Sequence, residues 1–222
     1  MVTPTYPRGP YAVEGETDVP VVERLIRLCG AEPRQRLVAR GKRNLDPKIV
    51  GILRSSGPHT PWIVLRDLDH DAPCAGEFLN LLDQEQVEFA ELRIAVRQVE
   101  AWLLADHVGF GQTFAVPASR IPSDPDGCDD AKRAVVDACV HSRRRLIKSD
   151  MLPRPGSHRK VGPGYEGNMI AFATSGWDPT RAVQLSESLA AGRCRTAAGV
   201  AVSTPTFRHG RALPRTRISS RH

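Results

Sequence analysis

No stretch of the 222-residue chain approaches the roughly 18 consecutive apolar residues that a bilayer span needs. Its start, Met1-Val2-Thr3-Pro4-Thr5-Tyr6-Pro7, lacks the charged-then-apolar pattern of a secretory signal. A membrane partner is not expected, and a cytoplasmic location is. Cys-x-x-Cys is absent as well. The five cysteines, Cys29, Cys74, Cys128, Cys139 and Cys194, are odd in number and widely spaced, which signals neither a zinc site nor a disulfide framework; reduced, packing-type thiols are expected. No internal repeat is found. The segment 195–222 contains no acid and six arginines: Arg195, Arg208, Arg211, Arg215, Arg217 and Arg221. Removing those six from the 31 Lys and Arg leaves 25, against 25 acids in residues 1–194. The net charge of +6 thus belongs to a basic segment read as a disordered tail, and the body is neutral.

What is there suits one sizeable soluble domain, with 41% hydrophobic residues. Residues 10–106 alternate strand-like and helix-like segments, as in a parallel α/β unit. Strands are expected at Pro10 to Val13, Arg36 to Ala39, Trp62 to Leu65 and Leu92 to Val96. The first helix is expected from Asp18, with Pro20 in its opening turn and Gly30 as its stop. The second is expected to open at Asp46 as N-cap with Pro47 first in the helix, and to end near Gly57. A third spans about Gly76 to Leu82, and a fourth Val99 to Asp106. Residues 107–194 read as a helical extension, with helices at Asp129 to His141, Tyr165 to Thr174 and Pro179 to Leu189.

Glu14 follows the first strand, and Asp67 and Asp69 follow the third. In open α/β sheets, sites form beyond the carboxyl ends of the strands. Carboxylates converging there are the usual protein ligands of a hard divalent ion such as Mg²⁺ or Mn²⁺. Such an ion lowers the pKa of bound water and offsets charge developing on a phosphate. Asp18, four residues after Glu14, faces the same way if the turn is helical and is a candidate for a second ion. Lys160 and Lys42 are candidates to neutralise a phosphate or leaving group.

Val13-Glu14-Gly15, then Asp67-Leu68-Asp69 one β-α-β-α-β stretch later, resembles the topoisomerase-primase (TOPRIM) domain, whose signature is Glu-Gly after the first strand and Asp-x-Asp after the third. Arg93 to Asp106, with Gly162-Pro163-Gly164-Tyr165 and Trp177-Asp178-Pro179, is similar to the TOPRIM-like family DUF4276 over about residues 10–194. The resemblance implies a TOPRIM-like Rossmannoid fold, a mainly parallel four-stranded sheet flanked by helices plus a C-terminal helical extension. By analogy with nucleases of the overcoming-lysogenization-defect type it makes Glu14, Asp18, Asp67 and Asp69 the metal ligands. It also implies nucleic acid as substrate and an ATPase partner in phage defence. This chain departs in carrying Asp rather than Glu at position 18.

Plainer readings stand beside these. Asp18 is the natural N-cap of the first helix, and Asp69 or Asp71 suits a cap of the third. Glu100 and Asp106 read as solvated acids on an amphipathic helix, with the resemblance nudging Glu100 toward the site. His70 reads as a bystander and Tyr165 as no nucleophile. Arg143-Arg144-Arg145 with Lys148 suits either a nucleic-acid backbone or, more simply, a charged helix C-terminus. Alongside a Mg²⁺-dependent nuclease, two functions remain open: a non-catalytic or conditionally active subunit of an ATPase complex, and a haloacid-dehalogenase-like phosphatase using Asp67 and Asp69. The phosphatase reading leaves Glu14 without a role. Self-association is open.

Overall fold

The computed structural model describes residues 8–57, 60–81 and 91–190. The arginine-bearing segment 195–222, expected to be a disordered tail, lies outside the described residues. Four parallel strands form one sheet in the order β2-β1-β3-β4: β1 (Arg8–Val13), β2 (Glu32–Val38), β3 (Ile63–Asp67) and β4 (Glu91–Ala95). The chain builds outward from β1 to the edge strand β2, then crosses back to add β3 and β4 on the other side. The strand order therefore reverses between β1 and β3, and a crevice opens there at the carboxyl ends of the strands. The expected α/β class, with a parallel sheet flanked by helices and a helical C-terminal region, is the fold observed.

Period-two alternation decides what each face buries. Tyr11, Val13, Leu65 and Ala95 pack against α1 (Val19–Leu28) and the C-terminal helices in the largest core. Ala12 and Val64 face the other way, toward α2 (Lys42–Arg54). Phe78 of α3 (Ala75–Leu81) closes a third cluster with Leu68, Ala72 and Ile94.

The second helix starts a turn earlier than Asp46, and Pro47 lies inside it. Leu45 is the reason: fully buried together with Ile49 and Leu53 at helical spacing, it draws its own turn into the core. Gly41, at a φ of 111°, supplies the left-handed entry that a side chain resists. Asn44 Nδ2 donates to the carbonyls of Ala39 and Arg40 (3.0 and 3.2 Å), fastening that entry.

Behind the sheet, α4 (Val99–Ala105) is buried along its whole length, packed among α6 (Ala131–Val140), α9 (Pro179–Ala182) and the first core. It has no solvated face, so the expectation that Glu100 and Asp106 are solvent-exposed acids is corrected. Asp106, with no exposed surface, accepts from the Arg181 guanidinium (2.7 and 2.7 Å) and from the Gly109 and Asp178 amides. Two helices went unanticipated, α5 (His107–Phe114) and α7 (Arg145–Met151). In α5 two glycines mask the periodicity, while Phe110 and Phe114 stack one turn apart and meet Phe172. The single helix expected at Pro179 to Leu189 is two, α9 and α10 (Glu187–Ala190). Ser186 stands between them, donating to Asp126 and accepting the Leu189 amide. The remaining long helix, α8 (Tyr165–Ala171), runs into a π-helical turn at Phe172–Gly176.

Among the described residues, no helix is long and apolar enough to cross a membrane. Cys74, Cys128 and Cys139 are free thiols, but Cys29, at the end of α1, is disulfide-bonded. That corrects the expectation of five reduced cysteines.

Candidate functional site

β1 ends at Val13 and β3 at Asp67, so Glu14 and Asp67 emerge side by side at the point where strand order reverses. Glu14 Oε1 accepts the amide of Asp67 at 3.1 Å, which ties the end of β1 to the end of β3. Burial pushes the Glu14 carboxyl up from its ordinary range, opposed by the Arg66 guanidinium (Nε to Oε1 3.5 Å) and by that amide.

Because neighbouring strand residues point to opposite faces, Arg66 and Asp67 build two different environments. On the α2 face, Arg66 is 1% exposed and stacks 4.7 Å over the Phe78 ring. Its guanidinium donates to both oxygens of Asp46 (2.9 and 2.9 Å), to Asp71 Oδ2 (2.6 Å) and to the Asp67 carbonyl. Lys42 Nζ adds bonds to Asp71 (2.9 Å) and Asp69 (3.0 Å). Burial alone would raise the Asp71 carboxyl, but Lys42 and Arg66 outweigh it and hold it below its usual value.

On the α1 and α4 face the balance is different. Asp67 Oδ1 accepts the Val99 amide at 2.9 Å, at the start of α4. Asp18 is 5% exposed. It occupies the position expected of an N-cap but forms no side-chain cap of α1; its Oδ2 turns back to accept the Gly15 amide at 2.8 Å. Glu100, 2% exposed, accepts the Tyr165 hydroxyl at 3.2 Å and lies 3.5 Å from Lys132 Nζ. Burial drives the Asp67 carboxyl well above its ordinary value, and the charges of Asp18, Glu100 and Glu14 push it further. Burial raises Asp18 to about 7, again reinforced by Glu100 and Glu14. The charges of these acids act on one another, and Lys132 reaches Glu100. The attraction of Glu100, with smaller contributions from Asp67 and Asp18, raises the Lys132 ammonium.

The structure joins Glu14 to the Asp67 backbone, while Asp18 turns to the Gly15 amide and influences Asp67 through its charge. Asp69 stays near enough for its charge to raise Glu14 and Asp67, and Lys160 lies toward Asp130. Asp69 sits at a φ of 47°, a left-handed conformation that Asp tolerates better than most residues, and its carboxylate turns to Lys42 and to Gln98 Nε2 (3.4 Å). Lys160 Nζ, its side chain 85% exposed, stands 3.8 Å from Asp130 Oδ2. His70 is exposed. Sequence reasoning gave Glu100 little weight and missed Lys132 altogether. The signal for Glu100 was an acid inside the otherwise apolar run Val99 to Ala105, where burial without a partner is costly. Lys132 is placed by the fold of α6 across α4 and has no local signature.

The donor chemistry suits a hard cation: carboxylate oxygens outnumber the positive charges beside them, and burial disfavours their ionisation. The hydrogen bonds of Glu14 and Asp67 found among the described residues run through one oxygen of each. As they stand, no three His, Cys, Asp or Glu side chains among the described residues are grouped to hold a metal. Mg²⁺ does not require such a cage, because it keeps several waters and is commonly held through one or two carboxylates together with substrate phosphates. Glu14 and Asp67, at the ends of adjacent strands, are the two carboxylates to consider for such a role. No protein-family model matches the chain, and neither a curated protein nor a solved structure does.

Proposed function

We propose that the chain is a Mg²⁺- or Mn²⁺-dependent phosphodiesterase of TOPRIM type, cleaving DNA or RNA. One observation carries the reading: Glu14 and Asp67, fifty-three residues apart, are joined by a 3.1 Å bond at the strand-order reversal of a parallel sheet, inside an excess of buried carboxylate. Glu-Gly after β1 and Asp-x-Asp at the end of β3 on adjacent parallel strands are the features that resemble TOPRIM and DUF4276 proteins. A divalent ion held by Glu14 and Asp67 would supply an activated water and offset phosphate charge. The chain's own residues do the rest. The Val99 amide and the tie between β1 and β3 fix the two ligands, Arg66 opposes the burial that raises Glu14, and Lys132 places a positive charge beside Glu100. Asp69, paired with Lys42, serves the loop more than the cluster.

The test is cleavage of labelled single- and double-stranded DNA and RNA with Mg²⁺ or Mn²⁺. Glu14→Ala and Asp67→Ala are each expected to lower turnover by at least about a hundredfold, the scale of removing one charge-stabilising group from a transition state, while the far-ultraviolet spectrum is kept. Cleavage that survives both substitutions, or that continues in EDTA, sinks the proposal.

A conditionally active subunit is the second reading. It is favoured by how closed the cluster is, with the Glu14 side chain 16% and the Glu100 side chain 3% exposed. On that reading, nuclease activity is silent in the isolated chain and emerges when an ATPase partner is co-expressed.

A further inference from the structure

The neutral body conceals two poles. Between Arg143 and Lys160 the chain has seven Lys and Arg against one acid, Asp150, while the acids gather at the carboxyl ends of β1 and β3. Arg143, Arg144, Arg145, Lys148, Arg154, Arg159 and Lys160 are all exposed. Apart from the 3.8 Å approach of Lys160 to Asp130, none of them has an ion pair among the described residues. The loop after α7 returns to the end of that helix, which keeps Arg154, Arg159 and Lys160 in a segment tied to α7: the amides of Gly162 and Gly164 donate to the carbonyls of Met151 (3.0 Å) and Asp150 (2.9 Å).

The simpler explanation of the arginine triplet was a helix C-terminus whose dipole favours cations. The structure removes much of it, since Arg144 is the N-cap of α7 and Arg145 its first residue, the end where cations are disfavoured. Leu146, 76% exposed, shows that this helix face is left uncovered by the fold. The patch also leads to the acids. Lys160 approaches Asp130, Asp130 caps α6 through the Arg133 amide (2.8 Å), and Lys132 in the next turn reaches Glu100.

We propose that α7 and the 152–164 loop bind the sugar–phosphate backbone of a nucleic acid and direct it toward the acid cluster. The direction rests on reading that cluster as the phosphodiester-cleaving site; the binding does not. Guanidinium groups without a carboxylate partner on an exposed surface suit a repeating line of phosphates, where each neutralised phosphate releases counterions.

The test is binding of labelled duplex and single-stranded oligonucleotides to the full chain in EDTA over a salt series, so that cleavage plays no part. Arg145→Gln/Lys148→Gln/Arg159→Gln is expected to weaken binding about ten- to a hundredfold and to lower the salt slope by about 2 to 3, near one for each phosphate no longer neutralised. The control Arg34→Gln/Arg43→Gln/Arg54→Gln removes the same charge from exposed positions around β2 and α2 and is expected to bind like wild type. The arginines of 195–222 are present in every variant, so the differences report the patch alone. Equal binding by the patch variant and wild type overturns the proposal, and so does an equal loss in the control. It is also overturned if the patch variant loses binding to phosphatidylserine vesicles but not to oligonucleotides. If the patch variant loses binding while the wild type never cleaves, the surface stands and the nuclease reading falls.

Discussion

Arg66 and Asp67 are neighbours on β3, yet the two faces they enter are built on opposite electrostatic plans. On the α2 face one buried guanidinium is matched by Asp46, Asp71 and Glu14, with Lys42 closing the ring through Asp69 and Asp71. On the α4 face Glu100, Asp67 and Asp18 share Lys132. A matched network holds a loop in place. On the other face the acids raise one another, a perturbation found both at functional sites and in structural networks.

The comparison is broken most sharply by removing its two centres separately. Arg66→Met leaves Asp46, Asp71 and Glu14 without their buried counter-charge, and breaking a buried pair from one side costs about 3–5 kcal/mol. Asp67→Asn has the reverse effect, because it deletes a buried charge that its neighbours oppose while keeping an acceptor for the Val99 amide. Urea unfolding in EDTA is expected to show the first variant strongly destabilised and the second at least as stable as wild type, although inactive. Two variants destabilised alike would erase the distinction between the faces.

Next in size is the effect of a divalent ion. Binding to the folded state alone stabilises by about 2.7 kcal/mol at a hundredfold excess over the dissociation constant. Mg²⁺ is therefore expected to raise the melting temperature of wild type and not that of Asp67→Asn. An equal rise in both would place the ion elsewhere.

Much of this contrast was legible before any coordinates. Glu14 and Asp67 stood out because strand-end acids sit at a boundary the sequence marks clearly, an apolar run followed by carboxylates. Alternation would set Asp69 on the same side as Asp67 only if the strand continued, and β3 ends at Asp67. Beyond that end the backbone turns through a left-handed conformation and hands Asp69 to Lys42. Glu100 looked solvated because a helix with one acid per turn reads as amphipathic; only the packing of α6 and α9 over α4 takes that face from water. Lys132 was missed because its approach to Glu100 is set by how α6 crosses α4, which no local spacing encodes.

The pH dependence sharpens the comparison further. Burial raises Asp18 to about 7, whereas in the unfolded chain an Asp ionises near 3.9. Between those values the folded protein keeps a proton that the unfolded chain has released, so stability is greatest below about pH 4 for this group and falls as pH rises toward 7. The slope is at most about 1.4 kcal/mol per pH unit for one proton. In EDTA, Asp18→Asn is expected to flatten this part of the stability profile. Asp71, held low by Lys42 and Arg66, contributes oppositely: its stabilisation is present above the unfolded value and is lost as acid protonates it. A profile unchanged by Asp18→Asn would mean that this carboxylate is hydrated after all.

The smallest expected effect separates two lysines. Lys132 is the counter-charge of a buried Glu100, but its side chain is 43% exposed, and water screens the pair, so Lys132→Ala is expected to cost no more than about 1 kcal/mol in metal-free protein. Lys160→Ala is expected to leave stability unchanged, since its only approach to an acid among the described residues is at 3.8 Å and its side chain lies almost wholly in solvent. Mg²⁺ is expected to recover the loss in Lys132→Ala, because a divalent ion in the cluster restores the positive charge that the lysine supplied. If Mg²⁺ leaves that loss in place while still stabilising wild type, Lys132 holds α6 against α4 independently of the charge balance around Asp67, and the excess of acid on this face must be relieved by another group.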